Sequence, residues 1–250
     1  MPSDPPALLE PLAGRVALVT GAAHRLGRAL ALALAQSGAD VLVHAHTSLT
    51  EAESAAREIE ALGRRARVVR ADLRDSANVR QAFGTGIDEM GRLDVLVNNV
   101  GTIAWKRLED HEASDWRDCL DGTLFATLNA SEAALPALRS AGRGRIINIL
   151  DVDADSTGPV PFATAYKIGK RATLTLTRTM AVTEAPHGVT VNAIGPGTLE
   201  DSPTRPDLTR IPSGRFGTYD DVAGAVIHLA SDAAAYTTGA LLPIAGGYLL

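Results

Sequence analysis

The sequence predicts an α/β fold, one domain built on a doubly wound parallel sheet of about seven strands. Two observations carry that prediction. Short, unbroken apolar runs rich in β-branched residues alternate with longer amphipathic segments along the chain. Strands buried on both faces read as such continuous runs. In addition, the 250 residues show no internal repeat and no compositional shift that would mark a second domain. Crossovers in such sheets are right-handed, and ligands gather at the carboxyl ends of the strands where strand order reverses.

Residues 1–12, with Pro2, Pro5, Pro6 and Pro11, read as a loosely attached tail, and 13–250 as the domain. Residues 15–20 (RVALVT) form the first strand and 25–37 the first helix, stopped by Gly38. A second strand over 41–45 leads to a helix over 50–62 that ends at Gly63. The third strand is 66–70, followed by a helix over 76–90, and LDVLVN at 93–98 is the fourth. A long helical region over 114–139 is interrupted near Gly122 and ends after Pro136. RIINIL at 145–150 is the fifth strand, 163–184 a helix and 189–194 the sixth strand. A helix over 219–231 and a strand around 240–244 close the chain.

Composition excludes several classes. With 24 basic and 29 acidic residues the net charge is −5, which leaves no clustered positive charge for nucleic acid. Mean hydropathy is +0.05 and no apolar run approaches the ~20 residues of a membrane span. The first residues carry no basic region of the kind that opens a secretory signal. The single cysteine, Cys119, precludes an intramolecular disulfide and reads as a small buried side chain. The expectation is a cytoplasmic protein that binds neither nucleic acid nor membrane.

The segment Thr20-Gly21-Ala22-Ala23-His24-Arg25-Leu26-Gly27 joins the first strand to the first helix. Gly21 permits a tight turn, Gly27 a close approach of helix to sheet, and the helix N-terminus offers free N–H groups to a pyrophosphate. The spacing resembles T-G-x-x-x-G-x-G of the short-chain dehydrogenase/reductase family, with Arg25 where the middle glycine stands. Further segments carry the same resemblance in order over 12–247: Asp72-Leu73, Asn98-Asn99-Val100-Gly101, Tyr166-x-x-x-Lys170, Pro196-Gly197, Gly214-Arg215-Phe216 and Ala245-Gly246-Gly247. It implies a Rossmann-type fold and a nicotinamide dinucleotide, with Asp72 and Leu73 at the adenine. Asn99, Val100 and Gly101 would line its middle and Pro196 and Gly197 the nicotinamide.

An NAD enzyme places an acid at the end of the second strand, and here that position is Ala45. His46, Thr47 and Ser48 surround it, with His24, Arg25 and Leu26 in the glycine turn. Arginine pairs readily with phosphate, so NADP(H) is expected. His44 and His46 read alternatively as metal ligands, although two donors fall short of a usual site, or as solvated residues at a strand end.

Tyr166 and Lys170 lie four apart on a predicted helix and share a face. A free tyrosine has a pKa of ~10, and a neighbouring ammonium is expected to lower it. In the family the lysine also holds the nicotinamide ribose and the tyrosine protonates the acceptor. Where most members have serine after the fifth strand, this chain has Asp151, three residues after Asn148, with Asp153 as a rival. A protonated aspartic acid can donate where serine would, and burial beside an apolar pocket favours that form. The solvated alternative treats both as loop acids.

The aspartate, tyrosine and lysine set, TGAAHRLG, and His44, His46 and Ser48 resemble the pteridine reductases within the family. Departures are Val100-Gly101-Thr102-Ile103 after Asn99, the late aromatic Trp105, and Thr47 in place of arginine. Thr123 replaces the helix asparagine that anchors a relay water, and the lid over 198–210 is short and rich in Pro, Thr and Asp. The resemblance implies an NADP(H)-dependent reductase of a carbonyl or C=N group in a small substrate, a pterin among the candidates. Alternatives are a 3-oxoacyl-carrier-protein or general ketone reductase, and a non-catalytic dinucleotide-binding sensor. It also implies a homotetramer, for which Leu120, Leu124 and Leu128 would suit a contact face.

Overall fold

The computed structural model describes residues 10–249. Seven parallel strands lie in the order β3-β2-β1-β4-β5-β6-β7. They are β1 (Val16–Val19), β2 (Asp40–Ala45), β3 (Ala66–Arg70), β4 (Val95–Asn98), β5 (Arg145–Ile149), β6 (Thr190–Pro196) and β7 (Leu241–Ile244). The helices are α1 (Arg25–Gln36), α2 (Leu49–Ala61), α3 (Ser76–Met90), α4 (Ala113–Leu120), α5 (Ala126–Ser140), α6 (Thr164–Glu184) and α7 (Tyr219–Ala230). A π-helical turn, Asp121–Phe125, joins α4 to α5 where the sequence predicted an interruption. Pro136 lies inside α5, which continues to Ser140.

The apolar runs become strands because both faces are covered. On one face Leu30 and Leu34 of α1, Ala52 and Ile59 of α2, and Val226 and Leu229 of α7 pack on Val19, Val43 and Val97. On the other, Phe83 of α3, Ala130 and Leu138 of α5, and Met180 of α6 pack on Leu18, Leu42, Leu96 and Ile146. Among the described residues, no helix is long and apolar enough to cross a membrane.

The expected tail over 1–12 falls outside the described residues up to residue 9. At its end the reading is corrected: Leu12 is fully buried, and its N–H donates to the Ser37 carbonyl at 2.9 Å. Four polar side chains also cross the interior. Asn98 and Asn148 are register partners on β4 and β5, and the Asn98 amide donates to Asn148 Oδ1 at 2.9 Å. Asn98 also donates to Ser131 of α5 at 3.0 Å, and Asn148 to Thr177 of α6 at 2.8 Å.

Candidate active site

The chain reverses its strand order between β1 and β4, and the site is built at the carboxyl ends of the central strands. Asn99 ties the two together: its N–H donates to Thr20 Oγ1 at 2.9 Å and its amide to the Thr20 carbonyl at 3.1 Å. Gly21 takes a φ of +63°. A Cβ on Gly27 would collide with the Gly21 carbonyl oxygen, so the turn closes only around glycine. The N-terminus of α1 has no side-chain cap and no acid in its first turn, which leaves its N–H groups to face the cleft.

His44 is not a solvated strand-end residue. It is buried; Nδ1 accepts from Gly21 N–H at 3.1 Å and Nε2 lies 3.1 Å from the Ala71 carbonyl. The ring therefore carries its proton on Nε2 and links the ends of three strands. Burial lowers its pKa to about 4. Both nitrogens are engaged with the backbone, and no group of three or more His, Cys, Asp or Glu among the described residues could hold a metal.

The expected phosphate end is only partly assembled as predicted. His46 and Thr47 are exposed and Ser48 half-buried, with no carboxylate at Ala45. Arg25, expected to serve this end, turns away: Nε donates to Asp201 Oδ2 at 2.7 Å and Nη2 to the Asp201 carbonyl at 2.9 Å. The Tyr219 hydroxyl donates to the same carboxylate. Arg25 takes a φ of +49° at its glycine-like position, a conformation that costs a non-glycine residue ~1–2 kcal/mol. Asp201 therefore fastens the glycine turn to the lid. His24 is exposed at the N-cap of α1.

Asp72 is gripped by Arg74, whose Nη2 lies 2.7 Å from Oδ2, and this pairing lowers its pKa to about 2. Leu73 is buried, and its carbonyl accepts from the Asn129 amide at 2.8 Å. Asp72 and Leu73 line a cleft of about 430 Å³ together with His46, Gly21 and Val100. A second cleft of about 290 Å³ holds Leu26, Asn99, Gly101, Lys170, Pro196 and Gly197.

Tyr166 and Lys170 stand in the first half of α6, against Gly101, where a Cβ would press on both side chains. Lys170 is buried, which lowers its pKa, and Nζ donates to the Ile149 carbonyl at 2.6 Å. The Tyr166 hydroxyl donates to Asp151 Oδ1 at 2.9 Å. The structure thus selects Asp151 over Asp153 as the tyrosine's partner.

Two expectations are corrected here. The phenol is not easier to ionise: burial, then the Asp151 charge, pushes its pKa well above 10. Nor is Asp151 set in apolar surroundings, because Lys167 Nζ lies 2.9 Å from its Oδ2 and 2.7 Å from Asp153 Oδ1. Burial opposes the Lys167 charge, but the two carboxylates outweigh it and raise its pKa. Lys167 went unnoticed in the sequence, although a cation directly after the tyrosine and facing a loop of acids was a usable signal.

Thr123 lies in the π-helical turn, where its Oγ1 accepts from the Thr102 N–H at 3.2 Å. Next to Tyr166 a third cleft of about 490 Å³ opens, lined by Ile103, Trp105, Lys167, Arg205, Arg210 and Tyr248 among others. Trp105 pairs with Phe162 at 5.7 Å between ring centres. Tyr166 and Asp151 line both this cleft and that of Lys170.

A family profile described as short chain dehydrogenase matches residues 15–210. A 3-oxoacyl-[acyl-carrier-protein] reductase of Synechocystis sp. is 37% identical over 245 residues, covering 96% of this chain and 98% of that protein. A 2-dehydro-3-deoxy-D-gluconate 5-dehydrogenase of Escherichia coli is 35% identical over 250 residues, covering 95% and 96%. The crystal structure of a gluconate 5-dehydrogenase from Burkholderia cenocepacia, in complex with NADP and tartrate, superposes with a TM-score of 0.89 at 31% identity, covering 96% of both chains. By profile, by sequence and by the order of its strands, the chain belongs to the short chain dehydrogenase family.

Proposed function

We propose that the protein is an NADP(H)-dependent oxidoreductase of an oxo or hydroxyl group on a small substrate, with Tyr166 as the proton donor in the reducing direction. One observation carries the reading. Tyr166 lines two clefts at once, one also lined by Lys170, Leu26, Asn99 and Gly101, the other of a size for a small substrate.

The residues present fit the cofactor. The uncapped N-terminus of α1 suits a pyrophosphate, and the absence of a carboxylate at Ala45 leaves room for a 2′-phosphate near His46, Thr47 and Ser48. Lys170 uses one donor on Ile149, which leaves two N–H bonds for the nicotinamide ribose. Asp72 and Leu73 stand at the adenine end, and Asn99, Val100, Gly101, Pro196 and Gly197 line the rest. The NADP complex of the Burkholderia enzyme supports the same cofactor.

When bound, the nicotinamide supplies or accepts hydride; proton handling belongs to the chain. The phenol, held protonated by burial and a neighbouring carboxylate, has one O–H, which turns from Asp151 to a nascent alkoxide and leaves a phenolate to be reprotonated from solvent. Asp151, as an acceptor paired with Lys167, holds the phenol's proton in the resting site and does not itself contribute a donor to the substrate. The relatives' names, a 3-oxoacyl reductase and a gluconate 5-dehydrogenase, support an oxo or hydroxyl group. Reduction of a C=N bond in a pterin-like ring is the second reading, favoured by an acid beside the tyrosine and by Trp105 in the substrate cleft. A cytoplasmic homotetramer is the proposed setting; Leu120, Leu124 and Leu128 are half-buried and outside the core clusters.

Loss of NADPH absorbance with ketone, sugar-acid and dihydropterin panels tests the reading. Tyr166→Phe should lower turnover by ~10²–10⁴-fold while NADPH affinity, read by fluorescence, holds within a few-fold. Undiminished turnover in that variant rejects the proton donor. NADPH binding without turnover on any panel leaves the non-catalytic sensor.

A further inference from the structure

We infer that the substrate of this site carries an anionic group, a carboxylate or a phosphate, and that Arg205 and Arg210 of the lid receive it. The inference rests on the oxidoreductase reading above and specifies its substrate class.

Three cations line the substrate cleft, Lys167, Arg205 and Arg210, against one acid, Asp151. Lys167 is neutralised locally by Asp151 and Asp153. Neither arginine makes an ion pair or a side-chain hydrogen bond among the described residues, whereas the family-like Arg25 and Arg215 nearby are both paired with aspartates. Among the described residues, two guanidinium groups without a carboxylate partner thus line one cavity in a chain whose net charge is −5.

These arginines are also positioned. Arg205 lies over the Phe216 ring at 5.3 Å from its centre, and Arg210 over Tyr248 at 5.8 Å. Stacking on a ring fixes the guanidinium plane while leaving its N–H edge free, so less order is lost when an anion arrives. A planar fork of donors matches a carboxylate or phosphate in a two-point contact that a lysine would not give. Like charges brought together at one cavity mouth repel one another, and an anionic ligand relieves that cost.

The same cleft is lined by the proposed proton donor Tyr166 and by Trp105 and Ile103, which offer apolar surface to a stem. A cleft of about 490 Å³ so lined fits a compact molecule that carries both an oxo or hydroxyl carbon and a negative charge.

The test compares matched substrates at fixed ionic strength with NADPH: levulinate against levulinamide, and dihydroxyacetone phosphate against dihydroxyacetone. The wild type should prefer the charged member of at least one pair by tenfold or more in kcat/KM, mainly through KM. The pair that responds separates carboxylate from phosphate. In R205Q/R210Q that preference should fall at least tenfold. R57Q/R80Q, which removes two exposed arginines of α2 and α3, should keep it. Calorimetric titration of the wild type with levulinate and with inorganic phosphate, each with NADP+ present and absent, supplies a readout independent of turnover. Anion binding that R205Q/R210Q abolishes, in a protein that reduces no carbonyl, upholds the site and rejects the oxidoreductase reading. Turnover of neutral ketones without any preference for, or binding of, the anions overturns the inference and leaves that reading standing.

Discussion

Tyr166 and Asp151 share a hydrogen bond of 2.9 Å in which the phenol donates and the carboxylate accepts. The proposed proton donor therefore rests on a negative charge, while the neighbouring ammonium of Lys170 gives one of its three donors to a backbone carbonyl. That inverts the balance expected from the sequence and favours a tyrosine that stays protonated.

Asp151→Asn should bring the Tyr166 pKa down, because it removes a charge that raises it. In the reducing direction activity is lost as the phenol ionises, so the alkaline limb of the rate profile should move to lower pH. Near neutrality the phenol stays protonated in both proteins, so turnover there should hold within about threefold, a difference under ~0.7 kcal/mol. Asp153→Asn, whose carboxylate meets Lys167 and not the tyrosine, should shift the limb less. Profiles of kcat/KM against pH for the two variants decide the matter; equal shifts would mean the carboxylates act as one diffuse charge.

Arg25→Gln should alter the KM for NADPH and for NADH together and keep their ratio within about twofold, a difference under ~0.5 kcal/mol. The guanidinium is bonded to Asp201 in the lid and not turned to the end of β2. Steady-state kinetics with both cofactors check this. A tenfold collapse of the NADPH preference would show that Arg25 swings to the 2′-phosphate.

His44 is neutral and buried with a pKa of about 4, below its ordinary value of 6.5. The unfolded chain takes up this proton first as pH falls below 6.5, so the folded state loses stability from there until pH reaches about 4. The slope is ~1.4 kcal/mol per pH unit for one such group, near 3 kcal/mol in all. Urea unfolding at pH 7, 6 and 5 should show a shallower dependence in His44→Asn than in the wild type. Parallel dependences would mean that the imidazole escapes to solvent on protonation.

Two helical glycines should respond oppositely to alanine. Gly84→Ala in α3 meets open space and should stabilise by ~0.5–1 kcal/mol, raising Tm by about 1–4 °C. Gly27→Ala drives a methyl into the Gly21 carbonyl and should abolish NADPH binding or folding. Thermal melts with and without NADPH separate the cases, and a Gly27→Ala protein that still binds would show that the turn can open.

The strands and the glycine turn were legible because their cause is local: continuous apolar runs need two covering layers, and a close helix approach needs glycine. Tyr166, Lys170 and Gly101 were legible for the same reason, as fixed spacings on predictable elements. Arg25 was readable in identity but not in direction, since its partner Asp201 lies 176 residues further along the chain. Lys167, Arg205 and Arg210 escaped notice because long charged side chains take their meaning from loops that meet only after folding. Leu12 was lost among prolines that resemble a tail, while its burial depends on the end of α1.

The amide of Asn98 joins β4 to β5 and to Ser131 of α5, and Asn148 carries the chain of hydrogen bonds on to Thr177 of α6. It works as a tie-rod beneath the floor of the cleft. Sliding the helix that carries the tyrosine along the sheet would strain these buried hydrogen bonds, which end on the helix behind the π-turn. On the function proposed above, adaptation to different substrates would then fall to the short lid and its arginines, with the tyrosine mounted on a helix braced by this buried polar chain.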